Sequence, residues 1–305
     1  MTGSALQSAV IRDLAAEVPT EVTEVARTLA ARLGGVAVLF YGSVLRTRQL
    51  GDILDFYVLT DRDGGFASRY LWPDVSFQEI PAGGRVIRAK VATMTLATFE
   101  RATTGVSIDT TVWVRFAQPS ALVWALGPDE QARVTRAVAA AATTAASFAA
   151  ALGPRQGRPA DYWQALLRET YRAELRVEAP GRELQVLAHA PERYDQLLPL
   201  AWDAAGIPFH RGSEGVAPRL SFGRCRRLAQ AWLTRAAMGK ALNIARLVKA
   251  AFTFEGAARY GLWKIQRHTG VHIALTPWRE RHPVLAGPGV LWRVLRAQNA
   301  AARNA

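Results

Sequence analysis

A single cysteine, Cys225, excludes an intramolecular disulfide framework and any zinc site built from cysteines alone. The five histidines are spread through the second half. His268 and His272 are four apart, but Gly270 between them argues against one helix face holding a metal. No uninterrupted apolar run approaches the roughly 18 to 20 residues of a membrane span. The first residues, MTGSALQSAVIRDLAAEVPTEVTEVARTLAARL, lack a basic start followed by an apolar core, so they do not read as a secretory signal. Asp13, Glu17, Glu21 and Glu24 argue against a mitochondrial transit peptide. A reducing cytoplasm is the expected home. Lysine is scarce beside arginine and alanine is abundant, a bias of GC-rich bacterial genomes that carries no function by itself.

Acidic residues are the other scarcity, and it is local. Residues 219–305 hold 16 Lys and Arg against 2 Asp and Glu, whereas residues 1–218 hold 22 against 23. The final segment therefore supplies the whole positive excess, and such a block faces a polyanion or water. Its basic and apolar residues alternate, and Trp263, Trp278 and Trp292 lie among them, which suits an anionic membrane interface. Lys240, Asn243, Arg246 and Lys249 nevertheless drift around a helical cylinder, so a solvated basic face and a nucleic-acid surface stay open.

Half of the 305 residues are apolar, enough for two compact domains. The periodicities predict one or two amphipathic helices over residues 5–33, broken near Pro19, and strands over Val36–Tyr41 and Ile53–Leu59. A strand over Arg85–Met94, a helix over Leu96–Thr103 and a strand over Thr110–Ala117 follow. Pro128–Leu152 reads as one long helix and Asp161–Arg172 as another, with 174–188 a hairpin or helix–turn element. The expected fold is α+β: a mixed sheet with helices over residues 1–125, a mostly helical second domain over 126–218, and a basic C-terminal region over 219–305.

The most informative stretch is VLFYGSVLRTRQLGDILDFYVLT, residues 38–60. It reads as strand, tight loop, basic segment, strand, with Asp52 on the lead-in to the second strand and Asp55 within it. A carboxylate between Leu54 and Phe56 is costly to bury unless it meets a cation or a strong donor, so Asp55 is the stronger candidate. The plainer reading is a turn followed by a solvated charge at a strand edge.

An apolar strand, Gly-Ser, then Asp in a second apolar strand resembles the nucleotidyltransferase superfamily. Within it, Tyr41-Gly42-Ser43, Leu54-Asp55-Phe56 and Asp61-Arg62-Asp63 are most similar to the translocator-maintenance type of CTP:phosphatidate cytidylyltransferase. Arg88, Arg115 and Pro119 fall on basic and proline positions of that family's next segment, and Tyr171, Glu174 and Arg176 on its Ser-Tyr-x-Gly-Asp-x-Arg segment, with Thr253 matching near the C-terminus. Gly42-Ser43-Val44 stands where the family has Gly-Ser-Gly.

The resemblance implies CTP-dependent transfer of a cytidylyl group to phosphatidate, giving CDP-diacylglycerol and pyrophosphate at the inner face of the cell membrane. It implies Mg²⁺ held by Asp55 and Asp52, nucleotide bound by Tyr41, Gly42, Ser43, Arg88 and Lys90, and acceptor phosphate bound by Arg115 and Arg176. A third metal carboxylate is expected, with Glu79 and Asp109 the candidates. The alternatives are transfer to another phosphorylated acceptor, a small molecule or a nucleic acid, and a non-catalytic binding protein of the same fold.

Overall fold

The computed structural model describes residues 2–42, 44–45, 53–61, 73–173, 182–253, 256–269, 273–281 and a few positions up to 296. Two helices come first, α1 (Thr2–Leu14) and α2 (Thr20–Leu33). Pro19 in extended backbone separates them, and Gly34 ends α2 in the left-handed conformation that a side chain would resist. Strand β1 (Gly35–Tyr41) then runs antiparallel to β2 (Leu54–Thr60). A hairpin follows, β3 (Asp74–Ala82) and β4 (Arg85–Thr95), and β4 lies parallel to β2. Helices α3 (Leu96–Thr103) and α4 (Thr111–Phe116) lead to β5 (Ser120–Ala125), which closes the far edge against β1. The result is an α+β protein with a five-stranded mixed sheet in the order β3-β4-β2-β1-β5.

One expected element is corrected. Residues Thr110–Ala117 form the helix α4, and the strand comes later, at Ser120–Ala125. Val112, Trp113, Val114 and Phe116 are all buried, so the run is apolar on every side and its period cannot separate strand from helix. At its start the Asp109 carboxylate accepts from the Thr111 amide at 2.7 Å and from the Thr111 hydroxyl at 2.6 Å, a turn that leads into the helix, and burial of the whole run against neighbouring elements settles its form. Strand β3 is not among the elements expected from the sequence, and it is defined by pairing with β4 along its whole length.

The sheet is covered on both faces. Helix α2 buries Val22, Val25, Ala26 and Leu29 against Phe40, Phe56, Val58 and Val91. The other face, with Leu39, Tyr57, Leu59 and Met94, joins a larger cluster reaching from α1 to Trp232. Its centre is α5 (Pro128–Leu152), whose buried alanines let α1, α3 and α4 approach closely. This helix is long and apolar enough to cross a membrane, yet two-thirds of its most apolar window is buried in the protein.

Beyond it lie α6 (Pro159–Ala173), α7 (Arg182–Ala188), α8 (Pro191–Ala204) and a short hairpin, β6 (Phe209–Gly212) and β7 (Gly215–Pro218). The chain ends in α9 (Phe222–Thr253), α10 (Ala257–Thr269) and α11 (Pro277–Arg281). Helix α9 packs on α5, α6 and β3, so the basic region lies against both the helices and the sheet.

Arg193 joins three parts of this fold. Its Nε donates to Asp13 on α1 at 2.6 Å and its Nη1 to the Ala117 carbonyl at 3.0 Å, with only 13% of the side chain exposed. Arg193→Ala leaves a mostly covered carboxylate without that donor, and equilibrium denaturation is expected to show a loss of about 2–3 kcal/mol.

Candidate functional site

The register of the sheet assembles the site. Tyr41 at the end of β1 is opposite Asp55 on β2, and Lys90 on β4 is opposite Asp55 from the other side. Phe77 on β3 is opposite Lys90 in turn. Side chains alternate along a strand, so Tyr41, Asp55, Tyr57, Lys90 and Phe77 share one face. Asp55 sits at the first turn of that face, partly exposed, where β2 begins.

Gly42 brings the backbone close to this carboxylate. Its φ is 98°, and a Cβ placed on it would meet Asp55 Oδ2 at 2.7 Å. A close approach and a positive φ at the same residue call for glycine.

Helix α4 contributes Arg115, whose Nη1 donates to the Tyr41 hydroxyl at 2.8 Å while its guanidinium carbon lies 4.8 Å from the centre of the Tyr41 ring. Burial alone would lower the Arg115 pKa, but the surrounding Tyr41, Tyr57 and Asp55 outweigh it and hold the pKa raised. Burial pushes the Tyr41 and Tyr57 phenols up, against the pull of Arg115, so both stay neutral at physiological pH. From α10, Tyr260 packs its ring 5.7 Å from Phe77, and burial followed by the Asp55 charge raises its phenol too. Arg246 of α9 lies 3.8 Å from Asp109, and Lys249, one turn on, 2.8 Å from Asp74.

The sequence-predicted residues Tyr41, Gly42, Asp55, Lys90 and Arg115 are thus brought to one place. Arg88 is one step further out on β4, in a half-exposed ion pair with Glu79 at 3.3 Å. The two candidates for a third carboxylate are both engaged elsewhere. Glu79 holds Arg88 on a strand separated from β2 by β4, and Asp109 starts α4 and meets Arg246. Ser43, Asp52 and Arg176 lie outside the described residues. Sequence reasoning missed Tyr57 and Tyr260, and it placed Arg246 only on a diffuse basic face. The aromatic and basic run RYGLWK, around Tyr260, was the available signal.

Among the described residues no group of three His, Cys, Asp or Glu side chains could hold a metal. Among the described residues the Asp55 carboxylate has Lys90 opposite it on the neighbouring strand and the Arg115 guanidinium within electrostatic reach. No protein-family model matches this chain, and no curated protein matches it.

Proposed function

We propose that this protein is a nucleotidyltransferase of the CTP:phosphatidate cytidylyltransferase type, joining a cytidylyl group to a phosphorylated acceptor and releasing pyrophosphate. The observation that carries the reading is Asp55 at the open end of a mixed sheet, in contact range of the glycine that follows β1, with Lys90 and Arg115 converging on it from neighbouring elements. Phosphoryl-type transfer needs little covalent help from the protein, so positioning and charge carry it.

The residues fit Mg²⁺ in the manner usual for that ion, one or two carboxylates with the remaining ligands from phosphate oxygens and water. Asp55 would hold it at the cradle that a Cβ on Gly42 would fill, with Asp52 as the second carboxylate. Bound there, the ion would neutralise charge developing on the phosphates. Arg115, a permanent cation fixed by Tyr41, orients a phosphate. Lys90 adds a positive charge across from Asp55. Ser43 follows Gly42 directly, so Ser43→Ala is expected to raise KM for the nucleotide about fivefold, equivalent to about 1 kcal/mol.

Incubation of the purified protein with Mg²⁺, each labelled nucleotide in turn and phosphatidate liposomes tests the proposal. CDP-diacylglycerol and pyrophosphate with CTP are expected; product with another acceptor would keep the reaction and move the substrate. A second reading is favoured by the basic residue opposite Asp55 and by the ion pairs at Glu79 and Asp109: nucleotide binding without turnover. Calorimetric nucleotide binding with no pyrophosphate release from any nucleotide would establish it.

A phosphatidate acceptor requires contact with a bilayer. Arg226, Arg227 and Lys240 on α9 are exposed, as are Phe222 and Leu233 beside them. Each cation near an anionic leaflet contributes about 1 kcal/mol, screened by salt. The protein is therefore expected to sediment with anionic liposomes, much less with neutral ones, and to be released by added salt. Tight nucleic-acid binding with no liposome binding would instead support a nucleic-acid acceptor.

A further inference from the structure

A cavity of about 490 Å³ opens between α9, the end of α3 and α5. Its α9 wall carries Arg224, Arg227 and Arg235, and its opposite wall carries the hydroxyls of Thr104, Thr143, Thr144 and Ser147. No Asp or Glu lines it. None of Tyr41, Asp55, Lys90 and Arg115 lines it, so this is not the same site.

Arg235 is the unusual group. It is 7% exposed, yet every acceptor it meets is a backbone carbonyl: Ala231 at 2.9 Å, Ser107 at 2.9 Å, and Gly105. Its Nε is buried without a hydrogen-bond partner. The Phe148 ring, 4.9 Å from its guanidinium carbon, offsets part of the charge, but neither carbonyls nor a ring supply an anion, and a buried cation with no counter-charge is costly. The lowering of its pKa has burial as its cause, with no acid offsetting it. Arg224 is spent on the carbonyls of Ala205 and Gly206 at the end of α8, whereas Arg227 is exposed at the rim.

The hydroxyl wall has the opposite need. Thr143 donates to the Ala139 carbonyl, Thr144 to Thr103, Ser147 to Thr143 and Thr104 to Arg101. Their protons are engaged, which leaves their oxygens as acceptors facing the space. A ligand that satisfies both walls has an anion at one end and hydroxyl donors at the other. We propose that this cavity binds a small phosphate ester of a polyol, its phosphate toward Arg227 and Arg235 and its hydroxyls toward Thr143 and Ser147. The volume is within the range of small-molecule pockets. This assignment is independent of any catalytic role for Asp55.

Calorimetry on the 305-residue chain tests it, with glycerol 3-phosphate, inorganic phosphate and glycerol as probes. Glycerol 3-phosphate is expected to bind at least about tenfold more tightly than either fragment, since both walls are used. Arg227→Gln, at an exposed position, should weaken the ester and inorganic phosphate alike by about tenfold. Ser147→Ala should weaken the ester by about fivefold and leave inorganic phosphate unchanged. Asp55→Asn should alter neither, which separates this site from the proposed active site. Arg235→Lys, which keeps the charge but loses the planar fork, should weaken the ester, and the Arg227 and Ser147 variants decide the question if it fails to fold. No heat with glycerol 3-phosphate in the millimolar range, or binding indifferent to both Arg227→Gln and Ser147→Ala, would overturn the assignment. So would binding seen only with phosphatidate vesicles.

Discussion

Asp55→Asn is expected to reduce nucleotide transfer by at least about 10²-fold while the protein stays folded. Asp55 is the carboxylate that the strand register places among Tyr41, Lys90 and Arg115, and amide replacement keeps its shape while removing its charge. It is partly exposed at a strand end, so its loss removes no core packing. A second readout follows from the phenols. Burial raises the Tyr260 pKa and the Asp55 charge raises it further, so the variant should titrate Tyr260 at lower pH than the wild type in a spectrophotometric titration. A downward shift with unchanged turnover would show that the carboxylate is placed as described but takes no part in catalysis. Asp52→Asn should cost less, because its spacing of three residues from Asp55 does not match an alternate-residue pair of carboxylates on one strand face.

Gly42→Ala should be nearly as damaging, for a different reason. The added Cβ would stand 2.7 Å from Asp55 Oδ2, so the carboxylate or the loop has to move, and a positive φ would be forced on a residue that resists it. Displacement of a reacting group by about 1 Å costs on the order of 10²-fold in rate. Gly84, in the turn between β3 and β4, is the control: its φ is 73°, with nothing within 4 Å of an added Cβ. Gly84→Ala should therefore lose only about 1–2 kcal/mol of stability and no turnover, whereas Gly42→Ala should lose both. Wild-type turnover in Gly42→Ala would mean that the approach of β1 to Asp55 is incidental.

The basic C-terminal region illustrates how composition and structure divide the work. Its charge excess is plain in the sequence and reads as a surface awaiting a polyanion. In the fold, part of that charge is turned inward: Arg246 meets Asp109, Lys249 meets Asp74, Arg224 meets the end of α8, and Arg235 is buried over Phe148. Only the remainder, including Arg226, Arg227 and Lys240, is presented outward. A helical wheel could not make this division, because which side of α9 is inside depends on α5, α6 and β3.

By itself the sequence determined the elements whose periods are long or sharply bounded. Helix α5 reads directly from its alanine run, α2 from its apolar stripe between Pro19 and Gly34, and β1, β2 and β4 from their β-branched and aromatic runs. It also singled out Gly42 and Asp55, since a carboxylate inside an apolar strand is conspicuous without any neighbours. The tertiary structure alone decided that TVWVRF is helical, that Lys90 stands across from Asp55, that Arg115 is held by Tyr41, and that Tyr260 closes on Phe77. The physical reason is range. Period and capping are properties of a few adjacent residues, whereas register, burial and charge pairing join residues as far apart as Tyr41 and Arg115, and are set only when the whole chain has found its packing.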